Sequence, residues 1–358
     1  MKMKKNRFGE RLAAFRERLA ERKLDAAVVF GQANVNGLTG VDCDNACLLV
    51  SAGGSRADAV FYTDFRYVPA VERTAPWVKV DDIRKLLGEK PLKVRGFSFG
   101  RVGYESDISK ARFDRLRKVF PGARFVDIAK DIRALRAVKT PWEIECLRAA
   151  ERLNDEIWRD ARKSFKAGMT EKDMARVIQH LMIERGDGEA FATIVCVGKN
   201  AAECHHVPDD TVWNGREPVL VDMGVKLDGY CSDMTRNIVP PRQSRLYRKV
   251  YDLVLAANEL GIRSVRPGIT GGQLDGIVRR FLRKNGFGKE FGHSLGHGVG
   301  MEIHEAPAAA RKVETVLRPG MSVTIEPGVY LVGSLGVRIE DLVVVTETGC
   351  EVLSHSEK

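Results

Sequence analysis

The segment that most constrains the fold is PVLVDMGVKLDGYCSDMTRNIV, residues 218–239, in which two strand-like runs flank a turn signal. Its middle, KLDG, contains an Asp-Gly pair, which favours a tight connection between antiparallel strands. A turn centred between Leu227 and Asp228 places Asp222 directly opposite Asp233, with Cβ atoms about 5 Å apart. Like charges in such a pair destabilise a sheet, unless one carboxylate is protonated or a cation lies between them. The segment therefore predicts either a charged site on a hairpin or two unrelated surface aspartates.

Two more carboxylates lie in apolar runs near the end of the chain. Glu326 follows the run VTI and Glu340 shortly precedes LVVV, so both acids are predicted at the facing ends of adjacent strands. Arg338 lies two residues before Glu340 and shares its strand face. Its planar guanidinium can pair with that acid or bind the carboxylate of a substrate. A single acid in such a run usually faces solvent, and two of them weaken that interpretation.

Three of the seven histidines lie in FGHSLGHGVGMEIHEAP, residues 291–307. His293, His297 and His304 stand there among glycines, which let the backbone pass close to another group. Any one of them alone would be interpreted as a structural histidine. Their clustering favours a functional site instead.

A further pair, His205-His206, lies in a predicted loop, and we assign His206 no role beyond packing of that loop. Cys204 stands beside this pair, but adjacency in sequence does not create a thiol–imidazole dyad. The chain contains no G-x-S-x-G elbow, no P-loop and no H-E-x-x-H motif. Other hydrolytic and nucleotide-dependent chemistries are therefore disfavoured.

The charge balance favours metal ions over buried free acids. Four carboxylates with one neutral imidazole carry a charge of about −4, which two divalent cations neutralise. Burial of four acids without cations would cost many kcal/mol. Oxygen ligands with one nitrogen suit Mn²⁺, Co²⁺, Fe²⁺ or Zn²⁺. Two such ions about 3.5–4 Å apart activate water and polarise a carbonyl, which is hydrolytic chemistry.

The order of strand-like and helical patterns predicts two domains. Up to residue 137, short apolar runs such as 26–30 alternate with helical patterns, which is typical of an α/β domain. Thr140-Pro141 can start a helix, with Thr140 as its cap. Helices are predicted at 141–164, 171–185, 245–263 and 271–285, with mostly antiparallel strands after residue 190. An α/β domain, residues 1–137, is thus followed by an α+β domain, residues 138–358, and direct inspection reveals no internal repeat.

Composition argues against several classes of protein. Hydrophobic residues make up 44% and charged residues 30% of the 358 positions, an ordinary globular balance. The net charge of +10 is spread along the chain, so no nucleic acid is expected as a partner. No run approaches the roughly 20 apolar residues of a membrane helix, and no signal-peptide pattern is present, so no membrane association is expected. Seven cysteines without framework spacing predict reduced thiols and a cytoplasmic location.

Six motifs, in this order and spacing, resemble those of the pita-bread metallopeptidases. They are LVDMG, GYCSDMTR, GHSLGHGVG, IHEAP, IEPGVY and GVRIED. The chain looks most similar to the Xaa-Pro branch of that family, which comprises prolidase and aminopeptidase P. NVNGLTG at 34–40 and TDFRYVPA at 63–70 resemble the creatinase/prolidase-type N-terminal domain of that branch. The resemblance covers nearly the whole chain and implies a pita-bread catalytic domain in its second part.

The resemblance also implies a set of metal ligands. Residues of the required types stand at the matching positions: Asp222, Asp233, His297, Glu326 and Glu340. Asp233 and Glu340 are expected to bridge two divalent ions, with Mn²⁺ as the first choice and Co²⁺ or Zn²⁺ as alternatives. Two departures, Asn237 where the family often has Thr and Cys231 shortly before a ligand, remove none of the ligands.

For the reaction, the resemblance implies hydrolysis of the bond between the first residue of a peptide and a proline in second position. His205 matches the histidine that contacts the scissile peptide, and His304 matches the one that stabilises the tetrahedral intermediate. Glu326 is expected to shuttle the proton. His293 and Arg338 match substrate-binding residues of the proline branch. The expected substrates are dipeptides or short peptides, and the expected assembly is a homodimer.

Other functions compete with this interpretation. Methionine aminopeptidase shares the fold, but the large N-terminal domain and the RIED context of Glu340 argue against it. A non-catalytic peptide-binding member of the fold would not need to keep five ligands. The sequence does not separate dipeptidase from aminopeptidase, because that depends on whether a loop or a partner subunit closes the site beyond the proline.

Overall fold

The computed structural model describes residues 2–53, 59–88, 90–92 and 99–358. The chain forms two compact units, Met1–Arg136 and Ala137–Lys358. Across these described ranges, no helix combines the length and the apolar character needed to span a bilayer.

The first unit is built on a mixed sheet. Its strands are β1 Ala26–Val29, β2 Ala46–Ser51, β3 Ala59–Thr63, β4 Lys79–Asp82, β5 Arg101–Tyr104 and β6 Arg124–Asp127. They lie in the order β4-β3-β2-β1-β5-β6, and only the β1–β2 and β2–β3 pairs are antiparallel. The helices are α1 Lys2–Glu21, α2 Gln32–Thr39, α3 Val68–Thr74, α4 Ile83–Leu86, α5 Lys110–Val119 and α6 Ala129–Ala137.

Both faces of this sheet are covered, and its central strands β1 and β2 are buried at every position. Val29 packs with Phe15 of α1 on one face, and its neighbour Val28 packs with Leu116 of α5 on the other. Successive side chains of a strand point to opposite faces, so a continuous apolar run requires a layer on each side. The predicted α/β class of the first unit is confirmed.

The second unit combines four long helices with short strands. The helices are α7 Pro141–Ser164, α8 Glu171–Arg185, α9 Arg245–Ser264 and α10 Gly271–Lys284. The strands between α8 and α9 are β7 Gly188–Glu189, β8 Ile194–Val197, β9 Val219–Met223, β10 Val225–Leu227, β11 Tyr230–Cys231 and β12 Met234–Ile238. The strands after α10 are β13 Gly296–Gly298, β14 Glu305–Ala309, β15 Ser322–Ile325, β16 Gly328–Leu331, β17 Leu335–Arg338, β18 Asp341–Val345 and β19 Cys350–Val352.

Local signals fix where these helices begin. Thr140 caps α7 and Thr170 caps α8, each in a capping box with an acid three residues later. The start and end of α7 and α8 match the prediction, and α9 and α10 end within one residue of it. Every strand pair that follows is antiparallel, which confirms the predicted α+β class.

The second unit contains one apolar core for each helix pair. Residues of α7 and α8, such as Trp158 and Met174, pack with Val221 of β9. Residues of α9 and α10, such as Val254 and Val278, pack with strands β15 to β18. The two strand sets therefore each have a helical layer on one side, and the charged residues at the strand ends are left to form the site.

Candidate metal centre

The hairpin that carries the first two carboxylates has a different register from the predicted one. Asp222, on β9, pairs with Thr235 of β12, and Asp233 lies just before that strand. The turn is formed by Asp228 and Gly229, which have φ values of 50° and 78°. A two-residue hairpin turn of this type needs positive φ at both positions, so the Asp-Gly pair takes the turn and moves its centre by one residue. The predicted direct opposition of the two aspartates is wrong, although both still face one cavity.

The second pair of carboxylates lies at the facing ends of two adjacent strands, as predicted. Ile325 of β15 pairs with Asp341 of β18, so Glu326 and Glu340 are the next residues beyond this last pair. Glu340 is almost fully buried, and the strand-end position turns it away from solvent towards the other acids.

A cavity of about 470 Å³ brings the predicted site residues together. All nine line it: His205, Asp222, Asp233, His293, His297, His304, Glu326, Arg338 and Glu340. Apolar side chains, among them Phe191 and Ile303, form the rest of the wall. A concave site with apolar walls and a few convergent polar groups is typical of small-ligand binding. The individual roles assigned to these residues stay predictions.

His297 presents one ring nitrogen to the acids. Its Nδ1 lies 3.1 Å from the Gly298 carbonyl, so Nδ1–H donates a hydrogen bond there. Nε2 is then unprotonated, and its lone pair is available to a metal ion. That Nε2 atom lies 3.5 Å from Asp233 Oδ2 and 3.5 Å from Glu326 Oε1. Burial lowers the pKa of His297 to about 4, so the ring is neutral, as a metal ligand must be. Potential ligand atoms of Asp233, His297 and Glu340 lie within 4.8 Å of one another.

The four carboxylates are strained electrostatically when no cation is near. Burial raises the pKa of Glu326 to about 8, against the opposing effect of Arg338. Burial also raises the pKa values of Asp222, Asp233 and Glu340, and repulsion by neighbouring acids adds to the effect for the last two. The Oδ1 atom of Asp222 is buried and accepts no hydrogen bond from any described residue. Four such acids with one neutral imidazole fit two divalent cations, which would neutralise them and occupy the free oxygens.

Arg338 binds a different acid from the predicted one. Its guanidinium donates to Asp222 Oδ2 at 2.7 Å, and its Nε donates to Thr235 Oγ1 at 3.0 Å. The prediction left two partners open, Glu340 or a substrate carboxylate, and the pairing with Glu340 is wrong because Asp222 of β9 takes that place. The charge of Arg338 is thus held at the edge of the acid cluster.

Tyr330 is a site residue that the sequence analysis missed. Arg338 donates to its hydroxyl at 3.0 Å, and the hydroxyl lies 2.9 Å from His293 Nε2. His293 Nδ1 lies 2.7 Å from the Ser294 carbonyl, so the hydroxyl donates to Nε2. Burial lowers the pKa of His293 to about 4, in agreement with a neutral ring. Tyr330 therefore links both predicted substrate-binding residues, and only its position in the IEPGVY motif could have indicated this.

Two supporting residues were also missed. Thr235 donates from its hydroxyl to Glu340 Oε2 at 2.7 Å, and its place two residues after Asp233, on the same strand face, was a usable signal. Glu151 of α7 is fully buried and accepts the backbone N–H of Asp233 at 2.6 Å. Burial raises the pKa of Glu151 to about 8. An acid within the apolar stripe of a helix is unusual enough to have marked it.

The remaining predicted residues lie around the same cavity. The rings of His304 and His297 are in edge-to-face contact, with centroids 4.3 Å apart. Cys231 is buried and its thiol contacts the Met301 carbonyl at 3.6 Å, which agrees with a packing role.

Comparison with known proteins decides the family. The profile of metallopeptidase family M24 matches residues 145–347, and the creatinase/prolidase N-terminal domain matches residues 11–138. The chain belongs to metallopeptidase family M24. The predicted resemblance and the predicted pita-bread fold are thereby confirmed.

Relatives of this M24 peptidase match over nearly its full length. It is 31% identical over 355 residues to the Xaa-Pro dipeptidase of Pyrococcus horikoshii, with 98% of each chain covered. Among solved structures, the Xaa-Pro dipeptidase from Bacillus anthracis has a TM-score of 0.91 and 30% identity, with 98% of each chain covered. The X-Pro aminopeptidase from Thermotoga maritima has a TM-score of 0.83 and 29% identity, covering 94% of this chain and 96% of that one.

Proposed function

We propose that this M24 peptidase hydrolyses the bond between the first residue of a dipeptide or short peptide and a proline in second position. The observation that carries the proposal is the convergence of four carboxylates, the neutral imidazole of His297 and four further histidines in one cavity. The full-length relatives named Xaa-Pro dipeptidase support the choice of substrate.

Two divalent ions would be held by the five-residue set: Asp222, Asp233, His297, Glu326 and Glu340. When bound, they would supply Lewis-acid polarisation of a peptide carbonyl and an activated water. We propose Mn²⁺ as the native ion because oxygen ligands dominate the set. The buried Oδ1 of Asp222 and the unprotonated Nε2 of His297 support the assignment of these two residues as ligands.

The histidines would act on the peptide itself. His205 would hold the scissile bond, and His304 would donate a hydrogen bond to the oxygen on which negative charge develops. Glu326 would take a proton from the attacking water and deliver it to the leaving nitrogen.

Recognition of proline would depend on a second group of residues, His293, Tyr330 and Arg338. The imide nitrogen of an Xaa-Pro bond carries no hydrogen, so the site must identify the ring and its carboxyl group instead. His293, Tyr330 and Arg338 form a continuous hydrogen-bonded row that could present one cation to that carboxylate.

We also propose a homodimer in the cytoplasm. The seven cysteines are all thiols, the form that a reducing compartment maintains. The molecular mass in solution, measured by light scattering, would test the dimer against the monomer mass of 39.8 kDa.

The decisive experiment removes bound metal with a chelator, restores Mn²⁺ and follows release of the first residue from Xaa-Pro and from Xaa-Pro-Yaa-Zaa. Cleavage of the dipeptide alone identifies a dipeptidase, and cleavage of the longer peptide identifies an aminopeptidase. Asp233→Asn should abolish cleavage, whereas Asp228→Asn, in the solvent-exposed turn of the same hairpin, should preserve it. If Met-Ala-Ser were cleaved and neither proline peptide were cleaved, the proposal would be contradicted and a methionine aminopeptidase favoured.

A further inference from the structure

The loop 203–209, which carries His205 into the cavity, is attached to the start of α8 by the buried carboxylate of Glu171, in addition to a backbone hydrogen bond from Lys172 N–H to the Asp209 carbonyl at 3.2 Å. Glu171 is the first residue of α8 after its Thr170 cap, and its side chain is fully buried. A negative charge at this end of a helix is favoured by the helix dipole. Such a fixed acid can hold an irregular loop that lacks the regular backbone hydrogen bonds of a helix or a sheet.

The carboxylate of Glu171 is bonded on both oxygens. Oε1 accepts the backbone N–H of Val197 at 2.6 Å and the side-chain amide of Asn200 at 2.9 Å. Oε2 accepts the backbone N–H of Asp209 at 3.0 Å and lies 2.7 Å from His206 Nε2. One side chain therefore links the end of β8, the 3-10 helix Gly198–Ala202 and both sides of the loop.

His206 is the loop's own contribution to this anchor. It is only 9% exposed, and its second ring nitrogen lies 3.3 Å from Glu203 Oε2. The acids that face it are Glu171 of α8, Glu203 before it and Asp209 after it. Burial alone would lower the pKa of His206, but the hydrogen bond and charge of Glu171 outweigh it and raise the pKa. An imidazolium that donates from both nitrogens agrees with this geometry.

His205, the adjacent residue, has no comparable support of its own. Its ring lines the cavity, and among the described residues no group forms a hydrogen bond with it. The position of the ring therefore depends on the backbone of residues 204–206. A displacement of about 1 Å at a catalytic group can cost on the order of 100-fold in rate.

A metal ion is an alternative occupant of this cluster, because Glu171, His206 and Asp209 could each offer a ligand atom. The four contacts of Glu171 argue against it, since a cation would have to displace two backbone N–H donors and an imidazole that already satisfy the carboxylate. Asp209 is exposed and its side chain accepts from Thr211 instead.

We propose that Glu171 and His206 are positioning residues of the peptidase reaction, which hold the loop so that the His205 ring stays in the cavity. The inference rests on the proposed function for the role of His205. It assigns His206 a function beyond loop packing, and it makes an acid outside the cavity part of the catalytic apparatus.

A double-mutant cycle tests the inference on the Mn²⁺-loaded enzyme with the best Xaa-Pro substrate. We expect His206→Ala to lower kcat about 10- to 100-fold, with KM changed less than threefold and two metal ions retained. His206→Gln, which keeps a donor towards Glu171, should recover most of kcat. In a His205→Ala background, His206→Ala should have less than a twofold further effect. Equal losses of kcat in both backgrounds would overturn the inference, because a general structural defect acts without His205.

Two further measurements keep the outcome decisive. Amide hydrogen exchange across residues 203–211 should rise in His206→Ala and in Glu171→Gln, and unchanged exchange would overturn the anchor itself. His180→Ala, an exposed histidine on the same helix, is the matched control and should leave kcat and exchange unchanged. A third Mn²⁺ per chain that disappears in His206→Ala would replace the positioning role with a metal site. If the wild type cleaves no Xaa-Pro peptide, the proposed function fails, while hydrogen exchange still decides the anchor.

Discussion

Two parts of the second unit, residues 141–239 and 245–345, repeat one plan. Each begins with a pair of long helices whose connection ends in Gly-Met-Thr or Gly-Ile-Thr, with the threonine as the cap of the second helix. The glycines, Gly168 and Gly268, both have positive φ, and both caps form an isolated bridge to a later segment. Each half then adds antiparallel strands that end in two carboxylates. The candidate metal centre thus draws its four acids equally from two similar halves.

The halves differ at the residue that follows the cap. In the first half it is Glu171, whose side chain reaches the loop of His205. In the second half it is Gly271, where a Cβ atom would lie only 2.0 Å from the Ala308 carbonyl oxygen. The segment after His304 therefore packs on α10 through backbone contacts, including Gly271 N–H to the Thr315 carbonyl at 3.0 Å. The first half has the equivalent backbone bond, from Glu171 N–H to the Thr211 carbonyl at 3.1 Å, and adds the side-chain contacts of Glu171 to it.

This difference shows two ways in which a segment can be fixed against the start of a helix. Backbone packing against a glycine leaves little freedom, because no side chain can rearrange between the two segments. A carboxylate with four partners also fixes a loop, but a single substitution in the loop can weaken this attachment.

The largest effect is expected at the proposed metal ligands, where the halves should be equivalent. Asp233→Asn in the first half and Glu340→Gln in the second should each lower kcat/KM about 1000-fold or more, since each removes a charge that holds the cations. Steady-state kinetics together with metal analysis measures this. Full activity and full metal content in only one of the two variants would break the equivalence.

The next largest effect concerns Gly271. Gly271→Ala should lower the free energy of unfolding by about 3 kcal/mol, because the new methyl group collides with the Ala308 carbonyl. Urea denaturation measures the change. Gly276→Ala, in the same helix, is the control and should stabilise the protein by up to about 1 kcal/mol, because its Cβ would meet only the end of the Arg280 side chain. A neutral result for Gly271→Ala would remove the contrast with Glu171.

A smaller effect should reveal the connection between the halves. Thr235 belongs to the first half, and its hydroxyl donates to Glu340 of the second half and accepts from Arg338. Thr235→Val should lower kcat/KM about tenfold, as expected for loss of an outer hydrogen bond to a proposed metal ligand. Thr235→Ser retains the hydroxyl and should stay within threefold of the wild type. Equal activity of the valine and serine variants would mean that the halves contribute independently.

The smallest effect is a pH dependence of the metal-free protein. The raised pKa of Glu326, about 8, means that the folded state holds a proton that the unfolded chain releases. Stability of the chelated protein should therefore increase by about 1 kcal/mol as the pH falls from 8 to 6.5. Below pH 6.5 the lowered pKa values of His293 and His297 oppose this, because the unfolded histidines then gain protons.

Thermal melting in chelator at several pH values measures this dependence. Glu326→Gln should reduce the slope between pH 8 and 6.5, with Glu151, whose pKa burial also raises to about 8, maintaining part of it, and an identical slope in that variant would exclude Glu326 as a source. Restored Mn²⁺ should remove the increase on acidification, because protons then compete with the bound cation.

The duplication of helix pair and strands escaped direct inspection of the sequence. The two halves share little beyond the Gly-x-Thr connection and the acids at the strand ends. Binary patterns of this kind can be satisfied by many unrelated side chains, so similar architecture leaves almost no identity to detect. The predicted register of the first hairpin was wrong for a simpler reason. The turn was centred between Leu227 and Asp228, whereas the Asp-Gly pair itself occupies the two turn positions and shifts every cross-strand pair.

The sequence by itself determined the features that depend on chain neighbours. Threonine caps, the Asp-Gly turn and apolar periodicity specify where α7, α8 and the strands lie, because they act over three or four residues. The motifs also identified nine residues that line the cavity. Tertiary structure alone decided which partners they meet. Arg338 binds Asp222 across 116 positions of the chain, and His206 meets Glu171 across 35. No local pattern encodes such pairs, because folding of the intervening chain brings them together.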